Sequence, residues 1–338
     1  MKVLVTGGLG FIGSHTVVEL QKEGFEVVII DNLENSSIDV LDGITRITGI
    51  APELHQIDLK DKAAVSRFFK ANPDIQGVIH FAANKAVGES VAHPLKYYRN
   101  NINSLVYLLE ELTELSHKNL IFSSSCTVYG EADELPITED ASVKPAESPY
   151  GNTKQIGEEI IQDVCKTSSD FKAIALRYFN PIGAHHTAEI GELPIGVPQN
   201  LVPFITQTAI GLRDKLSVFG GDYPTHDGTC IRDYIHVVDL AKAHVVALQR
   251  LMQNTQENNF EIFNLGTGKG SSVLQVVASF ERVSGQKLNY EIVARRAGDV
   301  VAAYAETSKA KNILGWQTEL SLDDAIASAW KWEQKIRA

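Results

Sequence analysis

At 338 residues, 44% hydrophobic and 22% charged, the chain is long enough for a large core split between two lobes and has the composition of an ordinary soluble protein. Its formal net charge of -11 argues against non-specific nucleic-acid binding, which needs a basic surface. No apolar run approaches a membrane span, the first residues enter a strand without a signal-peptide pattern, and the cysteines (Cys126, Cys165, Cys230) are too widely spaced for a disulfide framework or a zinc site. The expectation is a reducing cytoplasm, with no nucleic-acid partner, membrane partner or metal.

The apolar run 3–5 predicts a strand, followed by Gly7, Gly8, Gly10 and Gly13, a helix over 11–23 and a second strand over 27–30 that ends on Asp31. This is the order of a nucleotide-binding βαβ unit. One glycine permits a tight turn, one lets the backbone approach a pyrophosphate, and Gly13 lets the helix pack on the sheet. The spacing fits both Gly8-x-Gly10-x-x-Gly13 and Gly7-x-x-Gly10-x-x-Gly13, so spacing alone does not choose the subfamily. Bare N–H groups and the dipole at the helix start favour a diphosphate. Asp31 stands where a carboxylate accepts hydrogen bonds from an adenosine ribose, and no Lys or Arg lies between Lys22 and Arg46 to neutralise a 2′-phosphate. The expected cofactor is therefore NAD rather than NADP.

A polar stretch over 32–37 follows the strand tip, in place to cover the adenosine, and a strand over 54–57 brings Asp58 to the adenine edge. A helix over 62–70 and a strand over 78–81 continue the alternation and deliver Phe81-Ala-Ala-Asn-Lys-Ala-Val-Gly-Glu to the edge that carries the glycines. Ligands bind at the carboxyl ends of parallel strands in this architecture. Lys85 there reads equally as a phosphate ligand or as a solvated lysine. The helix predicted over 95–115 carries Tyr97, Asn100, Asn101 and Asn103, and because Asn is a mediocre helix former at least one amide is expected to hydrogen-bond inward. A strand over 120–122 ends in the hydroxyl run Ser123-Ser-Ser-Cys-Thr-Val-Tyr-Gly130.

Ser148 as N-cap and Pro149 at the first position open a further helix, in which Tyr150 and Lys154 share one face. A phenol is a poor base at neutral pH, but a neighbouring ammonium favours its ionised form, and an oxidised nicotinamide would add a second positive charge. Tyr150 then becomes a proton acceptor, with a serine hydroxyl sharing the proton. After a strand over 173–177, prolines at 181, 194, 198 and 203 loosen the alternation. The boundary is placed there: residues 1–180 form a Rossmann-type doubly wound parallel sheet, an α/β fold binding NAD, and 181–338 a smaller mixed α/β substrate domain, with 233–252 packing back on the first. Helices over 201–212, 238–252, 273–283, 308–314 and 322–335 and strands over 217–219, 261–265 and 289–293 are predicted in the second lobe. Arg232, Arg295 and Arg296 stand out in an acidic chain because guanidinium forks suit diphosphates, although each taken alone reads equally as a solvated arginine.

With these residues placed, the chain resembles the extended short-chain dehydrogenase/reductase family, and within it the branch that epimerises UDP-hexoses. The resemblance covers nearly the whole chain. It begins with Thr6-Gly-Gly-Leu-Gly-Phe-Ile-Gly-Ser-His, Asp31-Asn-Leu, His80-Phe-Ala, Lys85-Ala-Val-Gly-Glu-Ser, Ser123-Ser-Ser, Thr127-Val-Tyr-Gly, Ser148-Pro-Tyr-Gly and Lys154. It continues through Arg177-Tyr-Phe-Asn-Pro, Gly228-Thr, Arg232-Asp-Tyr-Ile-His-Val and Gly298-Asp. The first-lobe motifs mark the superfamily, whereas Lys85-Ala-Val-Gly-Glu-Ser and the second-lobe motifs are much more specific to this branch.

The resemblance implies NAD contacts at Gly7, Gly10, Phe11, Ile12, Gly13, Asp31, Asn32, Asn35, Ser36, Asp58, Leu59, Phe81, Ala82, Ala83, Lys85, Asn100, Ser125, Tyr150, Lys154 and Phe179. It implies UDP-sugar contacts at Asn180, Asn200, Leu201, Ser217, Val218, Phe219, Arg232, Arg296 and Asp299, with Ala303 beside the sugar. The activity implied is inversion of C4 of a UDP-hexose through a 4-keto sugar, with Ser125, Tyr150 and Lys154 catalytic, in a homodimer joined through helices 95–115 and 150–167. Two departures matter. Ala83-Asn84 stands where the family commonly has Gly-Leu, and Ala303 stands where some members carry a bulky Tyr, which leaves room for a 2-acetamido group and extends the expected substrates to UDP-N-acetyl sugars. Dehydratases of the family place an Asp-Glu pair after the strand-end hydroxyl, where this chain reads Ser125-Cys126-Thr127, so 4,6-dehydration, like decarboxylation, is the lesser reading. A nucleotide-sensing regulator without chemistry would have no need to keep Tyr150, Lys154 and Ser125 together.

Overall fold

Strands that read as unbroken apolar runs rather than alternations belong in a sheet covered on both faces. In the computed structural model, which describes residues 1–296 and 299–338, such runs form β1 (Lys2–Thr6), β2 (Glu26–Asp31), β4 (Ile75–His80), β5 (Lys118–Ser123) and β6 (Phe171–Tyr178), while the mostly polar β3 (Glu53–Gln56) lies at the sheet edge. A seventh strand, β7 (Phe260–Leu265), completes a sheet of order β7-β6-β5-β4-β1-β2-β3. The pairings of β1 with β2 and β4, of β2 with β3, and of β5 with β4 and β6 are parallel. The order reverses at β1, so β2 and β4 flank the strand that leads into the glycines and a crevice opens at its carboxyl end. Sequence order had suggested the second lobe for 261–265; the strand instead joins the large sheet.

Helices α1 (Phe11–Lys22), α2 (Val40–Thr48), α3 (Lys62–Ala71), α4 (Asn103–Leu112) and α5 (Pro149–Thr167) connect these strands. Ser148 accepts a hydrogen bond from the Gly151 N–H at 3.1 Å and caps α5 as expected, with Pro149 in its first turn. The helix expected over 95–115 is not continuous. A short helix, Pro94–Tyr97, passes into one i→i+5 turn over Tyr98–Ile102 before α4. Val87–Ala92, read as part of the loop after β4, is helical, as is Val40–Thr48, for which the sequence reading assigns no element.

Residues 1–130, 142–178 and 241–263 form one compact unit and 131–141, 179–240 and 264–338 another. The first therefore excludes the strap 131–141, which a single cut near residue 180 did not foresee. Among the described residues the second holds three small sheets. In one, Asn180–Ile182 pairs with Tyr234–His236; in another, Leu216–Phe219 lies parallel to Tyr290–Val293; the third orders Ser271–Ser272, Ile231–Arg232 and Ala302–Ala303. Its core gathers Ile205, Val276, Phe280, Ile326 and Trp330. Among the described residues no helix is long and apolar enough to cross a membrane.

Candidate active site

At the end of β1 the chain turns through Gly7, whose φ of +68° is a conformation that side chains resist. A Cβ on Gly13 would lie 2.2 Å from the Gly7 carbonyl oxygen, so α1 can sit this close to the turn only with glycine there. No side chain among the described residues caps the first turn of α1, which leaves its leading N–H groups directed at whatever occupies the turn. Phe11 and Ile12 are half-buried at the helix start. Asp31 is buried and accepts from the Leu9 N–H at 3.1 Å, the Leu33 N–H at 2.9 Å and the Ser36 hydroxyl at 2.8 Å. A carboxylate has about four lone-pair sites, so acceptor capacity remains for a sugar hydroxyl. Asn32 is half-buried and Asn35 exposed; Asp58 accepts from the Lys60 N–H at 2.9 Å, and Leu59 is buried in the core.

β4 brings His80 level with Thr6, and their side chains meet at 2.7 Å. The Phe81 N–H donates to the Thr6 carbonyl at 3.0 Å and sets Ala82 against Gly7. Ala83 is half-buried in this loop and Lys85 is exposed. Burial and the charge of Lys154 draw the His80 imidazole down to about 3, so it stays neutral at ordinary pH.

The first turns of α5 lie over the end of β5, with Tyr150 and Lys154 both buried. The Lys154 ammonium is 5.8 Å from the Tyr150 ring centroid and donates to the Ser123 carbonyl at 2.5 Å. Burial draws Lys154 down to about 8, and the charge of Glu158 pulls it back up. For Tyr150 the expected lowering is reversed: burial, helped by Tyr178, pushes the phenol well above its ordinary range, and a hydrogen bond with Ser125 pulls the other way. An ammonium at this distance does not by itself make the phenol acidic, because taking the ring out of water disfavours the phenolate more strongly. Ser125 also accepts from the Thr127 N–H at 3.2 Å, which holds the short turn Cys126–Tyr129.

Sequence reasoning missed the layer beneath. Arg177 reaches Glu158 through two bonds, Nε–Oε1 at 2.9 Å and Nη2–Oε2 at 2.5 Å, and the Ser124 hydroxyl donates to the same carboxylate at 2.5 Å. Tyr178 meets the Ser123 hydroxyl at 2.5 Å, and burial pushes its phenol up to about 12. A usable signal was present: Tyr150, Lys154 and Glu158 recur every four residues, which puts all three on one face of α5. The inward amide expected from the asparagine-rich helix is Asn101 rather than Asn100, which is half-buried.

In the second unit, Arg232 and Arg296 share Asp299. Arg296 is bonded to Asp299 at 2.8 Å, and the Arg232 Nη2 lies 3.5 Å from the same oxygen. The Arg232 fork also donates to the Ile231 and Val300 carbonyls. The Arg296 guanidinium lies 5.7 Å from the Phe219 ring centroid, on the strand that contains Ser217 and Val218. Ala303 pairs with Arg232 on the neighbouring strand. Arg295 is engaged elsewhere, on Asp222 at 2.7 Å and over the Tyr223 ring at 4.1 Å. The Phe179 N–H donates to the Leu265 carbonyl at 3.3 Å and the Asn180 N–H to the Asp233 carbonyl at 2.9 Å. Asn200, exposed, donates to Glu192 and precedes Leu201 at the start of a helix. Gly298, part of the Gly298-Asp motif, lies outside the described residues.

The reversed-order parallel sheet, glycine turn and buried Tyr-x-x-x-Lys define an NAD-using enzyme of the extended short-chain dehydrogenase/reductase class. The family model described as GDP-mannose 4,6 dehydratase matches residues 4–329. More specifically, a UDP-glucose 4-epimerase of Bacillus subtilis (strain 168) is 48% identical, over 98% of this chain and 97% of that protein. The crystal structure of a UDP-glucose 4-epimerase from Stenotrophomonas maltophila with bound NAD and formylated UDP-arabinopyranose superposes with a TM-score of 0.96 at 46% identity, covering 100% of this chain and 99% of that one. One from Bifidobacterium longum in complex with NAD+ and UDP gives a TM-score of 0.94 at 45% identity, covering 99% and 98%. The chain belongs to the UDP-glucose 4-epimerase family, whose members are NAD-dependent isomerases.

Proposed function

We propose that the chain interconverts UDP-glucose and UDP-galactose by inverting C4 of the hexose, with NAD as a resident cofactor. The observation that carries this reading is the buried pair Tyr150 and Lys154, with Ser125 hydrogen-bonded to the phenol, on the sheet edge that carries the glycine turn. That turn suits a dinucleotide, since the Gly13 position has space for no Cβ and the start of α1 has no side-chain cap. Gly7, Gly10 and Gly13 would cradle the pyrophosphate, Asp31 and Ser36 the adenosine ribose, and Lys154 the nicotinamide ribose. NAD held there would supply a hydride acceptor and donor for C4, with no net redox change over a turnover.

Tyr150 accepts the C4 hydroxyl proton and later gives it back, with Ser125 sharing it between phenol and sugar oxygen. Because burial holds the phenol protonated, it needs more positive charge nearby than Lys154 supplies, and a cationic nicotinamide is of the right sign. Chemistry is thereby confined to the loaded site. Arg232 and Arg296 hold the diphosphate, so binding energy is drawn away from the reacting carbon while the hexose turns over.

Ala303 offers only a methyl group beside the sugar, and on that ground UDP-N-acetylhexosamines are also substrates; Ala303→Tyr should abolish their turnover and spare UDP-galactose. The three cysteines are free, which suits the cytoplasm. Exposed Val91 and Leu95 support a homodimer joined through the region 95–115 and α5. The test is proton NMR of the purified protein with UDP-galactose and no added cofactor. UDP-glucose should accumulate; bound NAD without turnover would indicate a sensor instead.

A further inference from the structure

We infer that Asn101 is a positioning residue: its side-chain amide joins the loop that carries Lys85 to the helix that carries Tyr150 and Lys154, so that the two are held as one piece. The inference rests on the proposed function only for the roles of those three residues.

All four hydrogen-bonding positions of the Asn101 amide are engaged. Asn101 Oδ1 accepts from the Asn84 backbone N–H at 2.9 Å and from the Asn100 amide at 3.0 Å. Its Nδ2 donates to the Asn84 carbonyl at 3.0 Å and to the Thr153 hydroxyl at 3.0 Å. The Thr153 hydroxyl donates onward to the Tyr150 carbonyl at 2.7 Å. Asn101 is 7% exposed and Thr153 2%, so water does not compete for these bonds. A primary amide has two donor hydrogens and two acceptor lone pairs, and Asn101 uses all four. A buried amide with all four of its positions engaged favours one geometry, because any other leaves it unpaired.

The loop needs such a fixture. Residues 81–86 belong to no helix or strand, and both backbone groups of Asn84 end on the one side chain. The neighbouring residue, Lys85, is thus placed by Asn101 and not by sheet or helix pairing. On the other side, the bond through Thr153 reaches the residue that bears the reacting phenol. No other side chain of similar size substitutes: Asp lacks the donors, Leu lacks every polar group, and Gln is a methylene too long. The i→i+5 turn over Tyr98–Ile102 contains both Asn100 and Asn101, and such turns recur at functional sites.

The test compares the parent protein with Asn101→Asp, Thr153→Val and Thr153→Ser. Three readouts are taken: amide hydrogen exchange over residues 84–86, NAD retained on purification, and kcat and KM for UDP-galactose. Thr153→Val removes one bond of the joint, so exchange over 84–86 should quicken and kcat should fall, each by about tenfold. KM should stay within about twofold, and the melting temperature should fall by only a few degrees, the cost of one buried donor left unpaired. Thr153→Ser, which keeps the hydroxyl, should restore the parent values. Asn101→Asp should lose both donations, with faster exchange and less retained NAD. Parent-like exchange and turnover in Thr153→Val and Asn101→Asp would overturn the inference. So would a Thr153→Ser that behaves like Thr153→Val, since that would mark a packing role. A parent protein inert towards UDP-galactose would count against the proposed function, while the exchange data would still decide the joint.

Discussion

The buried corner around Tyr150 and the arginine cluster around Asp299 treat charge in opposite ways. In the first, Lys154, Glu158 and Arg177 are all buried, Lys154 ends on a backbone carbonyl and Arg177 on both oxygens of Glu158. In the second, Arg296 is the open member, its side chain 57% exposed, and it shares Asp299 with the more sheltered Arg232 at 15%, so the comparison turns on Arg296. A dry charge acts on its neighbours at low effective dielectric and can set a proton affinity, whereas a wet one is screened and passes from one partner to another at little cost. The first arrangement suits a reacting group and the second suits a group that holds and releases a diphosphate.

Substitutions in the two regions should therefore differ in kind. Tyr150→Phe removes the proton acceptor and should lower turnover by about 10²–10⁴-fold, with the melting temperature and bound NAD unchanged. Glu158→Gln leaves the Arg177 guanidinium buried without its counter-charge and should destabilise the fold by about 3–5 kcal/mol in urea unfolding. Arg296→Leu should change stability by less than about 1 kcal/mol while raising KM for UDP-galactose about tenfold at unchanged kcat. If Arg296→Leu destabilised as much as Glu158→Gln, the wet–dry contrast would be wrong.

The pH dependence sharpens the same contrast. Burial takes Lys154 from 10.5 down to about 8, so between those values the unfolded chain binds the extra proton. The cost of burying the ammonium is therefore fully present below pH 8 and fades as pH rises towards 10.5. Lys154→Met escapes that cost but loses the bond to the Ser123 carbonyl. It should stabilise the protein by about 2 kcal/mol at neutral pH, with the gain vanishing in alkali, and should abolish turnover. In the parent, turnover should decline as pH rises through about 8 and the ammonium is lost. A flat profile across that range would remove Lys154 from the account.

The parts legible in the sequence were those where local geometry restricts residue choice. The Gly13 position tolerates no Cβ, the terminal acid of β2 sits at a defined strand end, and Ser148-Pro149 announces the start of α5 within a few residues of Tyr150. The illegible parts depend on chain segments that meet only in the fold. Glu158 and Arg177 are 19 residues apart and neither carries a local motif that declares a partner. The helical face shared by Tyr150 and Lys154 was readable, but the direction of the phenol's shift was not, because four-residue spacing says nothing about how thoroughly the ring is removed from water. Likewise, the strand pattern at 261–265 shows that a strand exists and not which sheet it completes.

The central claim, that Tyr150 moves only the hydroxyl proton while the C4 hydrogen travels as hydride to and from a resident NAD, is tested most directly by turnover of UDP-galactose in D2O with no added cofactor. Proton NMR should show UDP-glucose that keeps protium at C4, because a hydride stored on the nicotinamide does not exchange with solvent. Deuterium at C4, or a requirement for added NAD before any product forms, would contradict the account.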